Sequence, residues 1–485
     1  TAELKKSIEE AATLVVVEDL YRPYRPKRRT RATIAKEKGL EPLANIILLQ
    51  MTKEPLEKEA EAFVSEEKEV KTAKDAIAGA CDIIAESISD EADYRMEIRR
   101  RTEAKGLIVS TAKDEKAESV YENYYEFAEP VSKIAGHRVL ALNRGEKEKF
   151  LNVKIEAPTE EILRYLEKKI ITKENPQTKP VLQATIEDAY NRLIAPAIER
   201  EVRNQLTEKA EDGAIKVFGK NLEQLLMQPP IAGQVVLGWD PAFRTGCKLA
   251  VVDKNGNMLD VSVIYPTPPN AKIKEAKEKM LQLLKKYPID IIAIGNGTAS
   301  RESEAFVAAL IREYHLSAAY TIVSEAGASV YSASKLAREE FPDLHVEQRS
   351  AISIARRIID PLSELIKIDP QSIGVGQYQH DLPTARLKDR LDFVVSKAVN
   401  RVGVNVNTAS QELLKNISGL SQATAKSIVE YRREHGELKN RKELKKIPKI
   451  GEKSYEQAAG FLRIEDGDEL LDRTSIHPES YATAR

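Results

Sequence analysis

The sequence predicts a multidomain, mainly α protein: a helical N-terminal scaffold, then an α/β domain, then a small duplicated helical module. Three observations carry this. At 485 residues the chain is too long for one hydrophobic core, so about three domains are expected. Apolar residues recur at the helical period through residue 228, and the pattern then switches to short apolar runs separated by turn residues. Between Val404 and Ile464 one short motif occurs twice.

Residues 1–229 read as helix after helix. Ala60 to Ser89 places Ala62, Phe63, Val70, Ala73, Ile77, Ala80 and Ile84 on one face. Pro180 to Ala210 does the same through Ile186, Tyr190, Leu193, Ile194, Ile198, Val202 and Leu206, which predicts a spine helix. Strand-like runs interrupt at Leu107–Val109 and Val139–Leu142, and Pro229-Pro230 ends the region. The run from Tyr21 to Arg31 is too rich in proline for an α-helix. Its tyrosines alternate with Arg22, Arg25, Arg28 and Arg29, as a stacking platform for nucleic acid requires, although a solvated segment laid over the scaffold gives the same pattern.

Residues 231–361 change character. Val235–Asp240, Cys247–Asp253 and Met258–Tyr265 form three apolar runs, with Asn255-Gly256-Asn257 as a turn, and predict an antiparallel meander. A helix over 272–286, a strand over 289–294, a helix over 301–314, a strand over 320–324 and further helices follow. That order is the RNase H-like fold. Nucleases of this fold hold two metal ions between several carboxylates. Asp240 ends the first strand and Glu325 the last, both in position. Asn296 stands where the fourth strand would offer an acid, and Ser350 where the terminal helix would. An amide and a hydroxyl cannot offset two divalent cations. The expectation is a degenerate site, no metal and no enzyme activity; the alternative is a metal-dependent nuclease of the RuvC-like class in which Asp389 and Asp392 replace the missing ligand. Residues 362–403 read as a helical connector, with a loop at Gly374 to Gly376 before a helix over 385–399.

Residues 404–464 hold the duplicated motif. The first copy is Leu413-Leu414-Lys415-Asn416-Ile417-Ser418-Gly419-Leu420, the second Leu444-Lys445-Lys446-Ile447-Pro448-Lys449-Ile450-Gly451, and each leads into a helix. A glycine turn that presents amide groups at a helix start favours phosphate whatever base it carries. Gly419, Leu420, Ser421 and Lys426 in the first copy, and Lys449, Ile450, Gly451 and Lys453 in the second, are the expected nucleic-acid contacts. Twelve Lys/Arg against seven Glu give this stretch a net charge of +5 on a chain whose total is −1. A four-helix packing unit whose glycines merely end helices is the other reading. Residues 465–485 are expected to be a C-terminal linker.

The totals exclude other classes. Two distant cysteines, Cys81 and Cys247, and six scattered histidines offer no zinc site or disulfide framework, and a reducing cytoplasm fits. No apolar run reaches a membrane span, so no membrane partner is expected. Gly295 to Ser300 lacks a Walker lysine, His380 beside Asp381 has no nucleophile, and no cofactor is expected.

Several strings together resemble the bacterial Tex family of transcription accessory proteins: Asp240-Pro241-Ala242-Phe243-Arg244-Thr245-Gly246, Gly295 to Glu302, Ser324 to Ser334, Gly374 to Asp381, Leu20 to Tyr24, Ala135 to Arg138 and Asn143 to Glu146. The resemblance implies a helical scaffold, a YqgF-type RNase H-like domain, tandem helix-hairpin-helix motifs and a C-terminal OB-fold that binds RNA. It also implies action with RNA polymerase, as in a similar eukaryotic elongation factor. The chain stops at Arg485 and opens without Met, so a fragment lacking the OB-fold, and binding RNA more weakly for that reason, is expected. Three functions remain in competition: a non-catalytic nucleic-acid scaffold of transcription, a nuclease, and a protein-docking platform.

Overall fold

The computed structural model describes residues 2–26, 28–231, 233–374 and 376–485; Lys27 of the basic run and Val375 of the glycine loop lie outside them. The chain divides into two compact units, residues 1–213 and 214–485.

In the first unit the helix Ala73–Asp90 starts at a reciprocal cap, Thr72 with Asp75, and buries Ala76, Ala80, Ile83, Ile84 and Ile88. That cap breaks the single helix expected from Ala60 to Ser89; the preceding helix ends at Glu61, and Ser65 and Val70 form an isolated bridge between the two. The spine is longer than predicted. It runs through Lys179–Asp188, a π-helical turn Ala189–Ile194 and Ala195–Leu226. Its Glu201 and the buried Asp19 clamp two buried guanidiniums: Arg95 reaches both carboxylates at 2.6 Å, as does Arg99. Buried charge of this kind persists only where each partner is paired.

Strands β1 (Leu107–Ala112), β2 (Glu126–Pro130) and β3 (Leu151–Glu156) form an antiparallel sheet in the order β2-β1-β3. Val139–Leu142 is not a strand. It lies in the helix Gly136–Lys147, where four successive buried residues pack because that helix is covered on several sides.

The second unit contains a five-stranded sheet, β6-β5-β4-β7-β8, built from β4 (Val236–Asp240), β5 (Cys247–Val252), β6 (Met258–Ile264), β7 (Ile291–Gly295) and β8 (Ala319–Val323). β4 pairs antiparallel with β5 and parallel with β7, so the first strand is central. One face carries Ile273–Lys286 and Ser300–Tyr314 over Leu237, Trp239, Leu249 and Ile292. The other carries Val346–Ile359, with Ala351 and Ala355 over Val236 and Ala250. Gly238 permits this approach, since a Cβ there would run into Ala351 O and sit 2.9 Å from Ala355 Cβ. The expected RNase H-like order is present, with boundaries moved by one or two residues.

The connector helix runs Thr384–Val402, three residues beyond the predicted end. The duplicated module follows, its ends joined by the parallel pair β9 (Val404–Asn405) and β10 (Leu462–Arg463). Residues 465–485 are not a linker. They fold over the module around the buried Arg441, whose guanidinium donates to the carbonyls of Leu462, Thr474 and Ile476 and to the Tyr481 hydroxyl at 2.6 to 2.7 Å. Among the described residues no helix is long and apolar enough to cross a membrane.

Candidate nucleic-acid interface

The first hairpin joins Gln411–Leu414 to Gln422–His435, and the second joins the 3-10 turns of Arg441–Lys446 to Glu452–Ala458. In register, Ile417-Ser418-Gly419-Leu420-Ser421 matches Ile447-Pro448-Lys449-Ile450-Gly451, so the two glycines expected to do one job occupy different positions. Gly419 has φ +83°, and its counterpart Lys449 adopts φ +72°. Gly419 is needed for packing as well: a Cβ would lie 2.6 Å from Gln457 Cβ and 3.0 Å from Ser454 O, on the helix of the second hairpin. Gly451 has φ −87° and open space around it, so neither the fold nor the turn requires glycine there. Close approach of a ligand remains as a reason for it.

The two turns also differ in what their amides do. Ser421 caps its own helix: its Oγ accepts from Thr424 N at 3.2 Å, and its own N–H donates to Thr424 Oγ1 at 2.6 Å. Gly451 supplies no side-chain cap, so the first-turn amides after it have no side-chain partner. The second turn is the open one. Lys449 and Lys453 flank it, exposed, with no carboxylate within 4.0 Å among the described residues. Lys426, expected at the first turn, lies 3.5 Å from Glu430 at an exposed pair.

The net charge of the module overstates its basic surface. Arg441 is buried, Arg432 donates to Val406 O at 2.8 Å, and Arg463 lies against Gly403 with its Nη1 buried. Lys415, Arg433, Lys442, Lys449 and Lys453 are exposed and without a carboxylate partner among the described residues. They are the side chains free to meet phosphate.

In the other unit, the platform expected from Tyr21 to Arg31 is partly spent. Arg22 opens a 3-10 turn and binds Asp90 at 3.3 Å, and Arg29 binds Glu37 at 3.1 Å. Arg25, Arg28, Tyr21 and Tyr24 are exposed.

At the end of the five-stranded sheet, Asp240 accepts a hydrogen bond from Ser350 and lies near Glu325, as the sequence placed them. Glu325 occupies the space that side chains would take at the end of β7 and just beyond it: a Cβ on Gly295 would lie 2.5 Å from its Oε2, and one on Gly297 would overlap its carboxylate. Asn296 does not stand in for a ligand. Its Oδ1 accepts the Glu325 N–H at 3.1 Å and fixes the loop that carries that carboxylate.

Sequence reasoning missed two groups. Lys248, opposite Asp240 in the β4–β5 register, is 4% exposed, and its Nζ lies 2.9 Å from Glu347 Oε2, one turn before Ser350. It also donates to Thr245 O and Oγ1. A lysine inside an otherwise apolar buried strand was the available signal. Arg357, 4% exposed, donates to Ser324 O at 2.6 Å; its Nε and Nη2 have no partner. Burial lowers its pKa to about 10 against the opposing pull of Glu364 and Glu325.

Burial is also the main reason the Asp240 carboxyl rises from 3.8 to about 6; Glu325 and Glu347 add to the rise, while Ser350 and Lys248 oppose it. Glu325 is raised mainly by burial, and its Oε2 has no partner.

These residues do not fit a pair of divalent ions. Asp240 and Glu325 converge, but the third carboxylate that acts on Asp240, Glu347, is held by the Lys248 ammonium, the Arg357 guanidinium acts on Glu325, and no group of three potential metal ligands forms among the described residues. Asp389 and Asp392 do not repair this. Both lie on Thr384–Val402, where Asp392 pairs with Lys388 at 2.5 Å, and neither is among the charges that act on Asp240.

Residues 234–359 match the family model of the Tex protein YqgF-like domain, residues 50–218 that of the Tex central region-like family, and residues 399–463 a helix-hairpin-helix motif. The uncharacterized protein YdcI of Bacillus subtilis is 57% identical over 484 residues, 99% of this chain and 67% of that one. The chain belongs to the Tex family. The transcriptional accessory protein Tex of Neisseria gonorrhoeae is 42% identical, over 99% of this chain and 63% of its own length. The human S1 RNA-binding domain-containing protein 1 is 37% identical, over 95% of this chain and 48% of its own. The chain thus spans about two thirds of the length of these two bacterial relatives and about half of the human one.

Proposed function

We propose that this chain binds the sugar-phosphate backbone of nucleic acid without regard to sequence, as a non-catalytic scaffold of the transcription apparatus acting with RNA polymerase. The open second hairpin carries the reading: an uncapped helix start at Gly451 flanked by the unpaired Lys449 and Lys453 is an arrangement that meets phosphate and ignores bases. The printed names of the relatives, a transcriptional accessory protein and an S1 RNA-binding domain-containing protein, support the setting and a polynucleotide ligand.

The non-catalytic part of the proposal is supported by Lys248. An ammonium held between β5 and the site helix balances charge that divalent ions balance in a nuclease, and it cannot activate water as a metal does. Prolonged incubation of the chain with labelled RNA, DNA or junction substrates and Mn²⁺ should give no cleavage. The Asp240→Asn variant should bind nucleic acid as the parent does. Metal-dependent cleavage by the parent that vanishes in the variant would establish the nuclease instead.

A further inference from the structure

A cavity of about 490 Å³ lies beside the first hairpin, walled by Asn400 and Arg401 at the end of the connector helix, Gln457 and Phe461 on the second hairpin, Arg463 of β10, and His477 of the C-terminal segment. Two of these residues tie it to the first turn. Asn400 Oδ1 accepts the Ser418 N–H at 2.9 Å, and Gln457 packs under Gly419. The cavity therefore opens next to a backbone that the duplicated motif already presents.

Arg463 has no counter-charge. Its Nη1 is shut from solvent without an acceptor, its Nη2 reaches Val402 O only at 3.5 Å, and no carboxylate among the described residues lies within 4.0 Å of it. Gly403 holds the guanidinium plane in place, since a Cβ there would lie 2.5 Å from Nη2 and 2.7 Å from Cζ. Burial and, after it, the neighbouring Arg441 both lower its pKa. Arg401, on the same wall, has a side chain 67% exposed, and among the described residues Glu223, at 3.9 Å, is the one carboxylate within 4.0 Å of it. Two carboxylates also border the cavity, but both Glu479 and Glu456 are exposed to water.

A half-buried cation that the fold leaves uncompensated, facing a cavity, is completed by an anion. We propose that Arg401 and Arg463 form a phosphate subsite that takes one backbone phosphate of the polynucleotide strand held by the hairpins. The subsite rests on the backbone-binding reading above and adds a contact outside the duplicated motif. A guanidinium suits it because its planar fork can meet two phosphate oxygens at once, which a lysine cannot do.

The test is fluorescence anisotropy of a 5′-fluorescein oligothymidylate across a salt series, with the whole chain as parent and as Arg401→Gln, Arg463→Gln and Arg463→Lys. Each glutamine variant should bind about tenfold more weakly at low salt, the effect of losing one charged hydrogen bond. Each should also lower the log–log salt slope by about 0.7, one phosphate on a single strand. Arg463→Lys should restore the slope but not all of the affinity. Should Arg463→Gln disturb the β9–β10 pair, the exposed Arg401→Gln still decides. A parent that binds with a steep slope while Arg401→Gln matches it in slope and affinity overturns the subsite and leaves the hairpin reading standing. A parent that does not bind overturns both.

Discussion

Raising salt from 50 to 200 mM is expected to weaken duplex DNA binding by this chain about 40-fold if three phosphates are held and about 500-fold if five are, at a log–log slope of roughly −0.9 per phosphate. Five is the number of exposed lysines and arginines of the module without a carboxylate partner: Lys415, Arg433, Lys442, Lys449 and Lys453. The twelve basic residues of the sequence would set a far steeper limit, but Arg432 and Arg441 are committed to the fold, Arg463 is half-buried outside the two turns, and others sit in ion pairs. Binding should be equal for unrelated sequences of one length, because amides and ammonium groups read the backbone. A flat salt response, or a strong preference for one sequence, contradicts this.

The second large effect is on stability. Replacing Asp240 with Asn should stabilise the α/β domain by on the order of 3 kcal/mol at pH 7.5 and by almost nothing near pH 3.5, from a shift of about two units at 1.36 kcal/mol each. Folded, the carboxyl keeps its proton up to about pH 6; unfolded, it releases it near 3.8. Between those values the folded state binds more protons, so stability falls as pH rises, and the full penalty is present above pH 6. Asn carries no charge to bury and still accepts from Ser350. The single tryptophan, Trp239, is fully buried next to Asp240, so its fluorescence during urea unfolding reports this domain. Equal stability of parent and variant at pH 7.5, or a less stable variant, contradicts the account of a strained, metal-free carboxylate.

Periodicity made much of this legible. Strand ends placed Asp240 and Glu325, because a period-2 pattern fixes which side chains reach a sheet end, and the order of elements put Ser350 on the terminal helix near Asp240. Long-range compensation was not legible. Asn296 reads as a missing acid, yet it holds the Glu325 backbone from 29 residues away. Lys248 reads only as a lysine within an apolar run until Glu347, on a distant helix, is seen to pair with it. Val139–Leu142 misled because four apolar residues in a row fit a buried strand or a well-covered helix equally. The hairpin glycines misled differently: aligning Ile417 with Ile447 would have shown that Gly419 answers to Lys449 and Ser421 to Gly451. Local charge counting failed for Arg441, which residues 465–485 cover by folding back, and for Arg463, which packs against Gly403.

Substitution of Gly451 by Val tests the central claim most directly, because the free protein gives a side chain there nothing to collide with and a backbone angle that valine accepts. Any loss of binding would then belong to the ligand, whose phosphate would meet the new methyl groups. The measurement is the affinity of parent and Gly451→Val for one polynucleotide at low salt, with circular dichroism to verify the fold. The account predicts a folded variant that binds at least tenfold more weakly; a folded variant that binds as tightly as the parent would mean that the hairpins are packing elements and the backbone is held elsewhere.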